Sequence, residues 1–160
     1  IRLHPGYHRY GLDQPESAEL LDLASRRKLI VQLVVRMDDV RVQHPLLRVK
    51  DVDCRPLLEL VRARPELRLV LLGAQPAVGL GALRALGATR RVWFDIAMQE
   101  GIAGVATLAE AVSADRVLFG SHLPLFSLES ALFKIEEAAL DRPIRRAIES
   151  DNARQLLGGA

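Results

Sequence analysis

The sequence predicts an α/β chain built from parallel βα units. Three observations carry that prediction. Short apolar, β-branched runs alternate with amphipathic stretches of helical period along nearly the whole chain. No two of those runs are joined by a hairpin signal, so each strand reaches the next through a helix. At 160 residues, 49% hydrophobic and 26% charged, the chain is globular and long enough to bury a core.

The elements follow in order. "IRLH" (1–4) is a short strand, and "PGYHRYG" ends it as a turn. "ESAELLDLASRRK" (16–28) spaces Ala18, Leu20, Leu21 and Leu23 between charges, the pattern of an amphipathic helix. "LIVQLVV" (29–35) is a continuous β-branched run, which predicts a strand buried on both faces. Residues 35–53 are polar and irregular and read as a long loop or a loop with a short turn of helix. "CRPLLELVRARPE" (54–66) places Leu57, Leu58 and Val61 on one helical face, and "LRLVLLG" (67–73) is a strand. "VGLGALRALG" (78–87) is a helix with Gly87 as its expected C-cap. "RRVWFDIA" (90–97) is a strand, "GVATLAEAVSAD" (104–115) a helix and "RVLFG" (116–120) a strand. Two helices close the chain, over 127–140 and 143–158.

Five such strands fit two architectures. One is a flavodoxin-like open sheet with helices on both faces. The other is part of an eight-stranded βα barrel, which typically takes about 250 residues. Both place function at the carboxyl ends of the strands. His4, Tyr7, His8 and Tyr10 follow the first strand. Arg36, Asp38, Asp39, Arg41 and His44 follow the second, and Gly73, Ala74 and Gln75 the third. Asp95, Gln99 and Glu100 lie in and after the fourth, and Ser121 and His122 after the fifth. All four histidines of the chain lie at these ends. Asp95 is an acid inside an apolar strand, so it must be paired or protonated, and Arg36 is a possible partner. Arg36 stands where a guanidinium would bind a carboxylate or phosphate, or pair with Asp38 or Asp39. His4 before Pro5 and His44 before Pro45 also fit simple turn and solvated roles.

Several classes are excluded or disfavoured. A net charge of +2, scattered arginines and 4% aromatic residues offer neither a basic stripe nor stacking platforms for nucleic acid. No apolar run reaches the roughly 18 residues of a membrane span. Cys54 stands alone, so no disulfide forms within the chain, which suits a reducing cytoplasm. The setting "VDCRP" predicts an inert thiol. Walker A, G-x-S-x-G and H-E-x-x-H patterns are absent from the sequence, and "GLGALRALG" does not follow a strand as a dinucleotide turn does.

The runs "RPELRLVLLG", "RVWFDIAMQEG", "DRVLFGSHLP" and "RAIESDNARQLLG", in that order, resemble the carboxyl-terminal part of the amidohydrolase-related family. That group of metal-dependent barrels includes aminocarboxymuconate-semialdehyde and resorcylate-type decarboxylases. "IRLHP" and "RKLIVQLVV" resemble its middle strands, so the resemblance covers nearly the whole chain. It implies a (β/α)8, TIM-barrel-like fold, with residues 1–160 one domain covering roughly the last five βα units. It further implies hydrolysis or decarboxylation of a small organic acid or amide.

The resemblance also implies a site. The family's ligand positions fall on Val34 (Gln32 is an alternative on the same face), Gly73 and His122, and its His-x-His pair belongs upstream. Val and Gly offer no donor, so one divalent metal, zinc, is expected only through His122. His122 is then a metal ligand or general acid/base. Asp95 orients His122 or Arg36, Arg36 and Arg41 anchor a substrate carboxylate, and His4 and His44 complete the binding set. Five barrel strands leave two open edges, so the amino-terminal half of the barrel or a second copy is the expected partner. The alternatives are a non-catalytic barrel that binds a small ligand or partner, and a complete flavodoxin-like binding module.

Overall fold

The five apolar runs become five parallel strands of one sheet: β1 (Arg2–Leu3), β2 (Ile30–Val34), β3 (Arg68–Leu72), β4 (Val92–Asp95) and β5 (Val117–Leu118). The structure, a computed structural model, describes residues 1–75 and 77–158. The strands lie side by side in the order β1-β2-β3-β4-β5. A flavodoxin-like sheet reverses direction after its first crossover, whereas a barrel never does. The uninterrupted order therefore sets the open-sheet alternative aside. Register is regular: Gln32 lies across from both Arg2 and Val70, Val70 from Trp93, and Asp95 from Leu118.

Strand alternation sorts the side chains onto two faces. Val31, Leu33, Leu69, Leu71, Val92, Phe94 and Val117 point to the helical layer, and none is more than 1% exposed. They meet α2 (Pro15–Arg26), α3 (Leu57–Arg62), α4 (Leu80–Ala88), α5 (Gly104–Val112) and α6 (Leu128–Glu137) through Leu21, Val61, Leu83, Leu108 and Ile135. Each such side chain contributes about 1.5–3 kcal/mol by leaving water. The other face carries Arg2, Gln32, Val70, Leu72, Trp93, Asp95 and Leu118. It holds only a small apolar cluster, Val70, Trp93 and Leu118, closed by Leu156. So the inner face of β2 is covered less completely than the outer one: Val34 is buried there, but Ile30 and Gln32 are only partly buried.

Other departures have local causes. "PGYHRYG" contains one helical turn, α1 (Pro5–His8), started by Pro5 at its first position and ended by Arg9 in the left-handed region at φ 60°. Gly87 does not cap α4 but lies inside it; a Cβ there would stand 2.9 Å from Val112, so the glycine lets α4 approach α5. The fifth strand stops at Leu118 because the Phe119 N–H donates to the Ile148 carbonyl at 3.0 Å instead of to a neighbouring strand. Ile148 belongs to a π-helical turn, Ala147–Asp151, which joins α7 (Arg142–Arg146) to α8 (Asn152–Leu157) where one helix was expected. Buried Asn152 donates to the carbonyls of Ala114 and Val117, both at 2.8 Å, and ties this last segment to the start of β5. Among the described residues no helix is long and apolar enough to cross a membrane.

Candidate active site

At the carboxyl ends of the strands, the inner face opens into a cavity of about 290 Å³ lined by Arg2, Gln32, Leu72, Asp95, Ser121 and His122, with Val70 and Leu118 as apolar wall. Asp95, the last residue of β4, is its acid. The Gly73 N–H donates to Asp95 Oδ1 at 2.8 Å, and the Ala97 N–H reaches Oδ2 at 3.3 Å. Both donors come from turns just past strand ends. Gly73 has φ +63°, and a Cβ there would stand 2.8 Å from the Arg36 carbonyl, so only glycine fits the turn that aims this amide. Burial raises the Asp95 pKa above the ordinary carboxylate range. The two backbone donors, then His122 and Lys134, act in the opposite direction. Lys134 on α6 donates to the Ala97 carbonyl at 2.6 Å and the Ile96 carbonyl at 3.4 Å, holding the turn that carries the Ala97 amide. Its own pKa is lowered by burial.

His122 follows the Gly120–Ser121 break after β5. It adopts the left-handed conformation at φ 58°, unusual for a residue with a Cβ. Its carbonyl accepts the N–H groups of Leu125 (2.9 Å) and Phe126 (3.2 Å), a tight turn that fixes the backbone. The ring meets Phe126 edge to face, with centroids 5.4 Å apart. Its Nδ1 is buried and has no hydrogen-bond partner among the described residues. No hydrogen bond joins His122 to Asp95, so the expected direct orientation of one by the other is not formed, although both line the same cavity.

The remaining expected residues divide. The Asp95–Arg36 pair does not form. Arg36 instead makes a two-pronged pair with Asp51, Nε to Oδ1 at 2.9 Å, and this bond raises the Arg36 pKa. Arg41 turns to Asp39, Nε to Oδ2 at 2.8 Å, and to Glu100 at 3.2 Å; Asp39 is pulled down to about 2 by that pairing. Both guanidinium groups are committed to carboxylates that follow the strands, and neither lines the cavity. His44 is exposed and its Nδ1 accepts the Leu46 N–H at 3.2 Å, a local turn. His4 stays near the mouth: burial lowers its pKa, followed by the positive charge of Arg2, His8 and His122. Two residues of the site, Arg2 and Lys134, were not picked out by sequence reading, and Gln32 entered it only as an alternative ligand position. Arg2 shares a strand face with His4, Gln32 interrupts an apolar run, and Lys134 carries no signal that separates it from other lysines on amphipathic helices.

The residues present do not make a metal centre. Val34 and Gly73 close β2 and β3 without a donor atom, and no group of three His, Cys, Asp or Glu side chains able to hold a metal exists among the described residues. Among the described residues the oxygen and nitrogen side chains lining the cavity, besides Arg2, are Gln32, Asp95, Ser121 and His122, and the His122 Nδ1 is buried.

The family model described as Amidohydrolase matches residues 1–159. No curated protein matches the chain. Among solved structures, an uncharacterized TIM-barrel protein from Bordetella bronchiseptica superposes with TM-score 0.76 at 18% identity, over 99% of this chain and 56% of that one. The 5-carboxyvanillate decarboxylase of Sphingomonas paucimobilis gives 0.72 at 12% identity, over 100% and 58%. A dihydroxybenzoic acid decarboxylase from a Polaromonas species, with bound manganese and the inhibitor 2-nitroresorcinol, gives 0.66 at 11% identity, over 93% and 55%. The five strands thus superpose on part of a TIM barrel, and the chain spans a little over half the length of these structures.

Proposed function

The chain belongs to the amidohydrolase family, and from that premise we propose that its inner-face cavity carries out proton-transfer chemistry on a small organic acid or amide, with Asp95 and His122 as the reacting groups. The observation that carries this reading is the state of Asp95. It is a carboxyl lifted toward its protonated form by burial, held by two backbone amides and facing a cavity it shares with a histidine. Such a group gives or takes a proton nearer neutrality than an ordinary carboxylate does. In a decarboxylation the bond to the leaving carboxylate breaks and the carbon left behind takes a proton, which protonated Asp95 supplies. In a hydrolysis the ionised form removes a proton from water. The similar solved structures named as decarboxylases favour the first. His122 acts as the second proton carrier. As a metal ligand it would need donors beyond the ones this chain places beside it.

The open edges of β1 and β5 call for further strands, from the amino-terminal half of such a barrel or a second copy. The lone thiol of Cys54 fits a cytoplasmic setting. The test is turnover of small aromatic and aliphatic carboxylic acids by the full-length protein, followed as carbon dioxide release. Asp95→Asn and His122→Gln should each lower kcat by about 10²-fold or more, and full activity in Asp95→Asn would remove the reading. A non-catalytic barrel is favoured by one observation, the absence of donor atoms at Val34 and Gly73. Binding of such acids without carbon dioxide release or hydrolysis would identify it.

A further inference from the structure

On the reading that this cavity takes a small organic acid, we infer that Arg2, oriented by Gln32, is the anchor for the acid's carboxylate, in place of Arg36 and Arg41. Several cations near the strand ends are already occupied. Arg36 is held by Asp51, Arg41 by Asp39 and Glu100, and Lys134 by two backbone carbonyls. Arg2 is different. It projects from β1 onto the inner face, and its Nε donates to Gln32 Oε1 at 2.8 Å. Its two terminal nitrogens meet no protein acceptor among the described residues. Gln32 lies directly across from Arg2 in the β1–β2 register, so the bond is built into strand pairing.

Tying Nε leaves the outer edge of the guanidinium, a planar fork of two nitrogens, which matches the two oxygens of a carboxylate. Holding the fork in place also lowers the conformational cost of binding. The surroundings favour the same ligand. Asp95 is the cavity's only carboxyl among the described residues, and burial holds it toward its neutral form. Burial first, then the nearby Arg2, His8 and His122, disfavour a positive charge on His4, so the fixed cation beside the cavity is Arg2 itself. Val70, Leu72 and Leu118 line the wall and suit an apolar body. The ligand class is therefore a small acid with an apolar body, its carboxylate on Arg2 and the rest of the molecule reaching Asp95 and His122. Arg2 has a signal in the sequence: an arginine on the same strand face as His4, across from the polar interruption of "LIVQLVV".

The test uses the full-length protein and two probes of one shape, benzoate and uncharged benzamide, titrated calorimetrically. Wild type should prefer benzoate. Arg2→Gln should weaken benzoate roughly ten- to a hundredfold, the effect of losing charge-assisted hydrogen bonds, while benzamide changes little. Arg2→Lys keeps the charge without the fork and should lie between; Arg41→Gln should bind benzoate as wild type does. Unchanged benzoate affinity in a folded Arg2→Gln or Arg2→Lys protein overturns the inference. So does a wild type that fails to prefer benzoate, including one that binds neither probe. Activity separates this from the reading beneath it. If Asp95→Asn keeps full turnover while Arg2→Gln loses benzoate, the proton-transfer assignment falls and the anchor stands.

Discussion

A Cβ placed on Gly120 would stand 2.9 Å from Asp95 Oδ2 and 3.1 Å from Asp95 Cβ. The carboxyl occupies the volume that any larger residue at position 120 needs, so a glycine stands two residues past β5 because β4 ends in a held acid. Asp95 cannot move aside without giving up the Gly73 and Ala97 amides. Gly120→Ala should therefore cost about 1–3 kcal/mol, the usual range for overpacking, and lower activity by displacing the acid. The denaturation midpoint measures the first effect; a midpoint equal to wild type would show that the carboxyl yields.

Stability should fall with rising pH through the Asp95 titration. The folded-state pKa lies above that of the unfolded chain because burial opposes the charge. Between the unfolded value, about 3.9, and the raised folded one, the unfolded state has released its proton while the native state keeps it. Unfolding is then favoured as pH increases. Asp95→Asn has no proton to lose and should flatten this part of the curve. Melts taken across the acid range compare the two slopes.

Lys134 lowers the Asp95 pKa by its charge and holds the turn that carries the Ala97 amide. Lys134→Met removes both effects, so the Asp95 pKa should rise further. If Asp95 works as a base, the acid limb of the pH–activity profile should move to higher pH. A profile that keeps its midpoint while losing height would show a purely structural role for Lys134.

Arg36 and Asp51 are mostly shielded, with 14% and 30% of their side chains exposed. Their two-pronged bond ties the end of β2 to the end of the long polar loop, whose Val52 N–H also donates to the Val35 carbonyl at 2.9 Å. Arg36→Gln should destabilise the protein by about 1–2 kcal/mol, since it leaves a shielded carboxylate without its cation. Benzoate affinity should be unaffected. A loss of affinity without a loss of stability would restore Arg36 to the binding set.

Cys54 lines a groove of about 300 Å³ between α3 and α4. Burial, then the charges of Asp53 and Asp51, push its thiol up to about 12. At pH 8 almost no thiolate exists, so iodoacetamide should label the native protein far more slowly than the urea-unfolded one. Comparable rates would refute that shielding.

The strand runs, their alternation with helices and the end of the sheet where polar residues gather were all legible in the sequence. These features follow from local period, which a strand or helix imposes on its own residues. Asp95 was visible as an acid in an apolar strand, and His122 as a histidine where a strand gives out. The one-turn helix after β1 was hidden because four residues carry too little periodicity to register. The interior place of Gly87 was hidden because a glycine near a helix end reads as a cap when the neighbouring helix is unknown.

By itself, then, the sequence determined a parallel βα chain with polar residues gathered at one end, Asp95 and His122 among them at the strand ends there. Only the tertiary structure decided which charges face the cavity. Arg36, Arg41 and Arg2 are alike in composition, but Asp51, Asp39 and Glu100 pair with the first two, and among the described residues only Gln32 accepts from the third. The Gly73–Asp95 bond joins residues 22 apart, and the Asn152–Val117 bond residues 35 apart. Such pairings turn on distances between separate elements, where several acceptors compete for a long side chain at differences of about 1 kcal/mol, and no local pattern in the chain encodes that choice.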